Sequence, residues 1–480
     1  MFKKKKIINK KKSNKVINLF GLIVIFLVFI TGIFAISYAK QIDFFGDIQI
    51  IENNKKTNIV NKKELDTNKK EEKQVLIDNN KINLLLIGRG GKMNDAPNLT
   101  DSIIIVSINK KLKTISMFSI PRDLYVKYEN GKYGKINKAY AVARAKTGSN
   151  EAGIDALKYN IELLTGEKID YYINIDFNGF INFIDSIGGV KIIVPKTLVD
   201  NKFPDHNWGY RTFIVKKGTW IFDGETALNY ARSRHSTSDF DRSIRQQQII
   251  QSIRKKITEG GFFSKINKAK IFYDVLGKYV FTDIGLTDAI SIFNEVKDNS
   301  YKIILSNLND SCFDGDPLCK KGGFLYTPER NLYGGASVLL INGSGMGKMN
   351  NYKKVKKYMD LVFNNSDIFK ENINISIYNS TKTPLLAGNT AFELRRYGFN
   401  IPNGDNTIGT IKGKILKKSL INYRKEIKNT KTIKYLKNIF KDIDFVEVEE
   451  LEYTSNDKSE IEIIISNDYL KIFKNLKNNL

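Results

Sequence analysis

Arginine is the residue type to follow in this chain. From Tyr230 to Ile257 it reads YARSRHSTSDFDRSIRQQQIIQSIRKKI. Arg232 and Arg234 alternate in a segment that reads as extended, which turns both guanidinium groups to one face. Asp239 or Asp241 then caps a helix. In its first turns Arg242, Arg245 and Gln246 stand at i, i+3 and i+4 and share a side, while Ile249, Ile250, Ile253 and Ile257 form the apolar stripe. A helix N-terminus carries partial positive charge, so cations gathered there call for an anion. Guanidinium forks grip phosphate through paired N–H donors, and the free N–H groups of a helix start add to them. The cluster therefore predicts an anion site of the phosphate class. A solvated basic helix accounts for Arg254, Lys255 and Lys256 but not for Arg232 and Arg234. His235 adjoins the cluster and has the chemistry of a general base; a bystander is the preferred reading.

Other residues gain meaning only beside that site. Asp101 precedes the run SIIIVS and Asp95 lies six residues earlier. Carboxylate oxygens suit Mg²⁺, which also takes phosphate oxygens, although Asp101 taken alone reads as a strand-end cap. Arg122, in Pro121-Arg122-Asp123, reads alone as a surface ion-pair partner. The glycine-rich Gly88–Gly91 segment, GRGG, follows a strand, but a second strand rather than a helix comes next and no GK[ST] follows. A nucleotide-phosphate loop is excluded on that ground. No Ser, Cys or His stands in a convincing triad, so direct transfer is favoured over a covalent intermediate.

The elements that must position these residues can be read from the apolar pattern. INLLLIG, SIIIVSIN, KTISMFSIP, IDYYINID and GGVKIIVP are β-branched runs bounded by Gly, Pro and Asn, as buried strands are. GIDALKYNIELLTG and FNGFINFIDSIGG carry helical spacing between them. Mixed strands and helices over residues 81–365 predict an α/β layered domain. A small α+β unit is expected over 372–470, from the strand INISIYNST, the helix LLAGNTAFELRRYGFNI stopped by Gly398, the helix TIKYLKNIF and the strand EIEIIIS.

The N-terminus predicts where this domain works. Residues 1–15 are lysine-rich, and residues 16–39 are an uncharged apolar run long enough to span a bilayer. Lysines before the run and none within it predict a cytoplasmic N-terminus, a single transmembrane helix, and everything beyond residue 40 outside the cytoplasm. The run exceeds a signal-peptide core, so an uncleaved anchor is expected. Residues 40–80 read as a polar linker or stalk. An exported location permits a disulfide between Cys312 and Cys319.

Composition excludes whole classes. The 480 residues include 2 Cys and 2 His, too few for zinc-finger arrays, iron–sulfur proteins or disulfide-dense scaffolds. Lys+Arg 77 against Asp+Glu 51 gives a net charge of +26. No nucleic-acid motif accompanies that charge, and an exported protein has no obvious nucleic-acid partner.

At these residues the sequence resembles the LytR-CpsA-Psr family of bacterial cell-wall glycopolymer transferases. LTDSIIIVSIN, MFSIPRDLYV, IDYYINIDFNGFINFIDSIGGV, GTWIFDGETALNYARSR and SDFDRSIRQQQII carry the resemblance in order and spacing. Residues 372–470 look like the LytR C-terminal domain. The resemblance implies a three-layer α-β-α fold around a mixed twisted sheet. It also implies a greasy tunnel for a polyprenyl chain with arginines at its mouth. Arg122, Arg232, Arg234 and Arg242 would hold the pyrophosphate, with Gln246 or Gln247 orienting it. Asp101 would coordinate Mg²⁺, and Asp239 or Asp101 would act as base, with Arg122 counted in the catalytic set. Phe180, Phe183 and Ile184 would line the tunnel, ordinary core packing being the alternative for each. Gly90 stands where the family often has a second metal-binding Asp, and Thr100 where it often has Arg; Asp95 is the candidate substitute. The implied activity is transfer from a polyprenyl-pyrophosphate-linked glycan to peptidoglycan at the membrane. A polyprenyl pyrophosphatase and a non-catalytic wall- or glycan-binding protein are the alternatives.

Overall fold

The computed structural model describes residues 80–480, apart from 93, 206–208, 234–238, 259–279, 298–299, 309–322, 343–350, 403–406, 412–415 and 454–457. The N-terminal tail, the apolar run 16–39 and the linker to residue 79 thus lie outside the described residues, as do Arg234, His235, Cys312 and Cys319. Among the described residues no helix is long and apolar enough to cross a membrane.

The first three apolar runs form an antiparallel meander: β1 (Lys81–Arg89), β2 (Thr100–Asn109) and β3 (Thr114–Ser119). Helices α1 (Ala139–Thr147) and α2 (Asn150–Thr165) follow. Ser149 caps α2 by accepting the Ala152 N–H, and Gly166 ends it with φ 77°. The chain then returns as β4 (Tyr171–Asp176), parallel to β1. Asp176 caps α3 (Phe177–Ser186). A long excursion follows through β5 (Val190–Val194), β6 (Leu198–Pro204), β7 (Tyr210–Val215) and β8 (Gly218–Phe222). Next come α4 (Gly224–Arg232) and α5 (Asp239–Thr258). Strand β9 (Val280–Thr282), helix α6 (Leu286–Lys297) and strand β10 (Lys302–Asn307) complete the unit. Among the described residues the main sheet runs β9-β4-β1-β2-β3-β10, with parallel and antiparallel pairs mixed.

Strand pleating sends alternate side chains to opposite faces. Leu85, Ile87, Ile103, Ile105 and Phe118 face Ile154, Leu157, Ile161 and Leu164 of α2. On the other face, Leu84, Ile104, Val106 and Met117 meet Ile284, Ala289 and Ile292. Beside them Phe183, Ile184, Ile192, Ala227, Tyr230 and Ile249 make a further cluster. The arrangement is a helix layer, a mixed sheet and a second helix layer.

Helix α7 (Lys353–Asn364) lies on the first face and joins the two units. The Ser116 hydroxyl donates to the Val362 carbonyl at 2.8 Å, and the Asn109 amide to the Phe363 carbonyl at 3.0 Å. Beyond it stand β11 (Ile375–Asn379), α8 (Leu386–Arg396), β12 (Ile408–Thr410), β13 (Leu420–Arg424), α9 (Lys431–Ile439), β14 (Asp444–Val448), β15 (Ile461–Ile465) and α10 (Tyr469–Asn479). Their sheet runs β12-β11-β15-β13-β14. The expected strands and helices of this unit are all present. Its core is continuous with the first: Tyr358 of α7 stacks on Phe324 at 4.8 Å and lies 5.9 Å from Phe118, and Phe324 meets Tyr397 at 5.4 Å.

Candidate active site

Between the second face of the sheet and helices α3, α4 and α5 lies a cavity of about 380 Å³. Its walls are apolar for most of their extent. Ile104, Ile173 and Ile175 come from strands, Phe177, Phe180 and Phe183 from α3, and Ile249, Ile250, Ile253 and Ile257 from α5. Asp101, Arg122, Asp176, Arg232, Arg242 and Gln246 also line it. Helix α5 grades the cavity along its length. Arg242 and Gln246 occupy its first turns, and Ile257 follows about 22 Å further on at helical rise. One end is therefore a cationic mouth and the other a greasy barrel.

Local structure explains how each mouth residue arrives. Asp101 lies on β2 beside the irregularity in β1–β2 pairing at Gly88/Arg89. Its Oδ1 accepts from Arg122 Nη1 at 2.6 Å. Arg122 also lies 3.7 Å from Asp123, which accepts from Lys135 at 2.6 Å. Arg232 was expected in an extended segment and instead ends helix α4. Asp223 caps that helix by accepting the Thr226 N–H, and Ala227, Leu228, Tyr230 and Ala231 give it a buried side. Gly224 permits its close approach, since a Cβ there would collide with the Ile181 carbonyl. A helix C-terminus favours a cation, so the helical placement suits Arg232. Its guanidinium sits 4.6 Å from the Phe177 ring centre and 5.7 Å from that of Phe203. Burial pulls Arg232 below its ordinary pKa; Asp101 opposes this and Arg211 adds to it. A cation desolvated in this way gains most from an entering anion.

Other residues of the predicted site stand elsewhere. Gln247 is buried away from the cavity lining, and its amide donates to the Ser119 hydroxyl at 2.9 Å and to the Ser306 carbonyl at 2.8 Å. It fastens α5 to the strand ends, because one residue's rotation from Gln246 turns it from the cavity to the sheet. Ile184 is fully buried in the core beside the cavity and does not line it, whereas Phe180 and Phe183 do. Asp95 is exposed on the loop after β1 and does not line the cavity. Gly90 also lies outside the lining, with the Asn94 side chain over it. Asp239 begins α5, three residues before Arg242, but its side chain is outside the described residues, as is all of Arg234. Arg245 donates to the carbonyls of Tyr230 and Ser233, and so fixes the end of α4 rather than facing the cavity.

Asp176 is the acid that sequence reasoning missed. Its Oδ1 accepts the Gly179 N–H at 2.8 Å, and its carboxyl lies against Gly91, whose φ of 76° and missing side chain make room for it. The motif INIDFNGF shows it only as a helix cap. Among the described residues no three or more His, Cys, Asp and Glu group to hold a metal. Asp101 and Asp176 line the same cavity as the arginines, and carboxylate oxygens are the ligand type that Mg²⁺ takes, with phosphate oxygens and water completing its shell.

Residues 48–316 match the model of the LytR_cpsA_psr family, and residues 372–469 match that of the LytR cell envelope-related transcriptional attenuator. The chain is 30% identical over 194 residues to the polyisoprenyl-teichoic acid–peptidoglycan teichoic acid transferase TagT of Bacillus subtilis, covering 40% of this chain and 56% of that one. It is 31% identical over 208 residues to the TagU transferase of Halalkalibacterium halodurans, covering 43% and 62%. The chain thus spans a little over half the length of these relatives. A solved structure of YwtF (TagT) with bound octaprenyl pyrophosphate lipid aligns over 60% of this chain and 91% of that one, at 24% identity and a TM-score of 0.40.

Proposed function

The chain belongs to the LytR-CpsA-Psr family, and from that premise we propose that it is a membrane-anchored phosphotransferase working outside the cytoplasm. It moves a glycan phosphate from a polyprenyl-pyrophosphate carrier to a hydroxyl of peptidoglycan. The observation that carries the reading is the joining of an apolar barrel to an arginine-lined mouth in one cavity. An isoprenoid chain requires the first and a pyrophosphate the second.

Arg232 of α4 and Arg242 of α5 would hold the pyrophosphate, with Gln246 one turn beyond Arg242, since all three line the mouth. Arg122 lines the same mouth and donates to Asp101 at 2.6 Å, which ties its guanidinium to that carboxylate. In the reaction the acceptor oxygen bonds to the glycan-linked phosphorus. The bond from that phosphorus to the polyprenyl phosphate breaks, and the lipid monophosphate leaves with the electron pair. The hydroxyl proton passes to a carboxylate, Asp239 or Asp101. Arginines fixed beforehand around the bridging and leaving oxygens offset the charge that develops there. Asp101 and Asp176 would hold Mg²⁺, which when bound supplies Lewis-acid polarisation of the phosphate oxygens.

The test uses the full chain in detergent with a synthetic polyprenyl-pyrophosphate glycan, Mg²⁺ and a peptidoglycan oligomer, read by product mass. A glycan–phosphate–peptidoglycan adduct is expected, lost in Arg232→Ala and in Asp101→Ala. Release of glycan phosphate with no adduct would make the protein a pyrophosphatase. Lipid binding without turnover would make it a binding protein.

A further inference from the structure

Residues 190–205 and 209–222 stand off the main sheet as a ribbon of two successive two-stranded pairs, β5 with β8 and β6 with β7. One face is buried through Val190, Ile192, Val194, Leu198, Val215 and Phe222. A ribbon with one solvated face ordinarily turns polar residues to the water. Here Ile193, Ile214 and Ile221 are 62%, 56% and 73% exposed, and Val199 and Tyr210 are exposed with them, whereas Trp220 stands opposite buried Ile192 on the other face. Ile193 and Ile221 share the solvent face of the β5–β8 pair, and Val199 stands directly opposite Ile214 on the β6–β7 pair.

The exposed charges around these residues are mostly positive, the exposed acids being Asp223 and Glu225 just beyond β8, with Glu225 3.9 Å from Arg211. Lys191, Lys196, Lys202, Lys216 and Lys217 are exposed, as is Arg211, whereas Asp200 is buried and Asp205 half-buried. Among the described residues of the ribbon, every fully exposed charge is positive. The ribbon also reaches the cavity. Pro204 lines it, and the Phe203 ring centre lies 5.3 Å from the Arg211 guanidinium and 5.7 Å from that of Arg232.

We propose that this ribbon is a membrane-contact arm, resting its apolar face in the headgroup boundary of a bilayer that contains anionic lipid. Tyr favours that boundary, and lysines lay their stems along apolar surface while their ammonium groups meet lipid phosphates. Two copies of the chain pressed face to face would instead bring their lysines together. The arm would hold the cavity mouth at the depth of a prenyl pyrophosphate headgroup, so the inference rests on the lipid-carrier reading above.

The experiment uses the full chain reconstituted in vesicles of phosphatidylglycerol and phosphatidylcholine. The chain has 2 Trp, so Trp208→Phe and Trp220→Phe with Val199→Trp leave a sole reporter opposite Ile214 on the outward face. Lipids brominated on the acyl chain should quench the Val199→Trp reporter, and quenching should vanish when Ile193→Glu, Ile214→Glu and Ile221→Glu are added. Transfer from a long-chain carrier in vesicles should fall about tenfold in that variant. With a short-chain carrier in detergent, it should be unchanged. An unquenched Val199→Trp reporter overturns the proposal, whether or not the copies cross-link through this face. An equal loss of transfer in vesicles and detergent also overturns it. Quenching without transfer in any medium would retain the arm and reject the transferase reading, which separates the two failures.

Discussion

One face of the main sheet sets Leu85, Ile87, Ile103, Ile105 and Phe118 against α2 and α7, where all five are fully buried. The other sets Ile104, Ile173 and Ile175 against α3, α4 and α5 and leaves a cavity of about 380 Å³. Apolar composition does not separate them. The covering helices do. Helix α2 closes on the sheet through a stripe of Ile and Leu. Helix α5 is held at its polar end, by Gln247 on the sheet and by Arg245 on the carbonyls of Tyr230 and Ser233. Directional bonds fix a spacing that hydrophobic contact alone would have closed. Phe118→Ala should therefore cost about 3–5 kcal/mol in denaturant unfolding. Phe180→Ala, which only widens an existing space, should cost about 1 kcal/mol or less and instead change the preferred carrier length. Similar losses for both would mean that the second face is as closely packed as the first.

Two arginines sharpen the contrast within the cavity face itself. Arg232 lines the cavity, and Arg245 is bound to backbone carbonyls. Arg232→Ala should lower transfer about a hundredfold with little change in Tm. Arg245→Ala strands buried carbonyls and should lower stability by about 2–3 kcal/mol, with activity falling only as folded protein is lost. Gln247→Leu should behave like Arg245→Ala, at about 1–3 kcal/mol. A selective loss of activity with an intact fold would return Gln247 to the pyrophosphate site.

The same contrast accounts for what the sequence made legible. Runs such as SIIIVSIN and MFSIP specify strands, and Arg122, Arg232, Arg242 and Gln246 reach one cavity from three separate stretches. Rotation by one residue was not legible: Gln246 and Gln247 are adjacent and identical, and only the helix phase turns one to the cavity and the other to the sheet. The helical state of Arg232 was missed because its cap, Asp223, lies nine residues upstream of it. Asp176 was missed because a helix cap and a cavity carboxylate are the same residue type in the same place. GGVKIIVP reads as a buried strand, yet Ile193 turns outward, because strand pattern alone does not say whether a second layer covers it.

The packed face continues through an aromatic junction into the C-terminal unit, and titration offers the gentlest test of that continuity. Burial pushes the Tyr358 and Tyr352 hydroxyls up to about 12 from an ordinary 10.0. Burial raises Tyr397 as well, and its hydroxyl donates to the Leu480 carbonyl. The folded chain then keeps protons that the unfolded chain releases. Stability from these groups is full below pH 10 and falls as pH climbs toward about 12. Tyr358→Phe should flatten that alkaline limb while changing stability at neutral pH by less than about 1 kcal/mol, read by denaturant unfolding across pH. Tyr230 sits beside the cavity, where burial raises it but Arg245 pulls it down, so Tyr230→Phe should flatten the limb less. Equal effects of the two substitutions would show that the junction is no more tightly closed than the cavity wall.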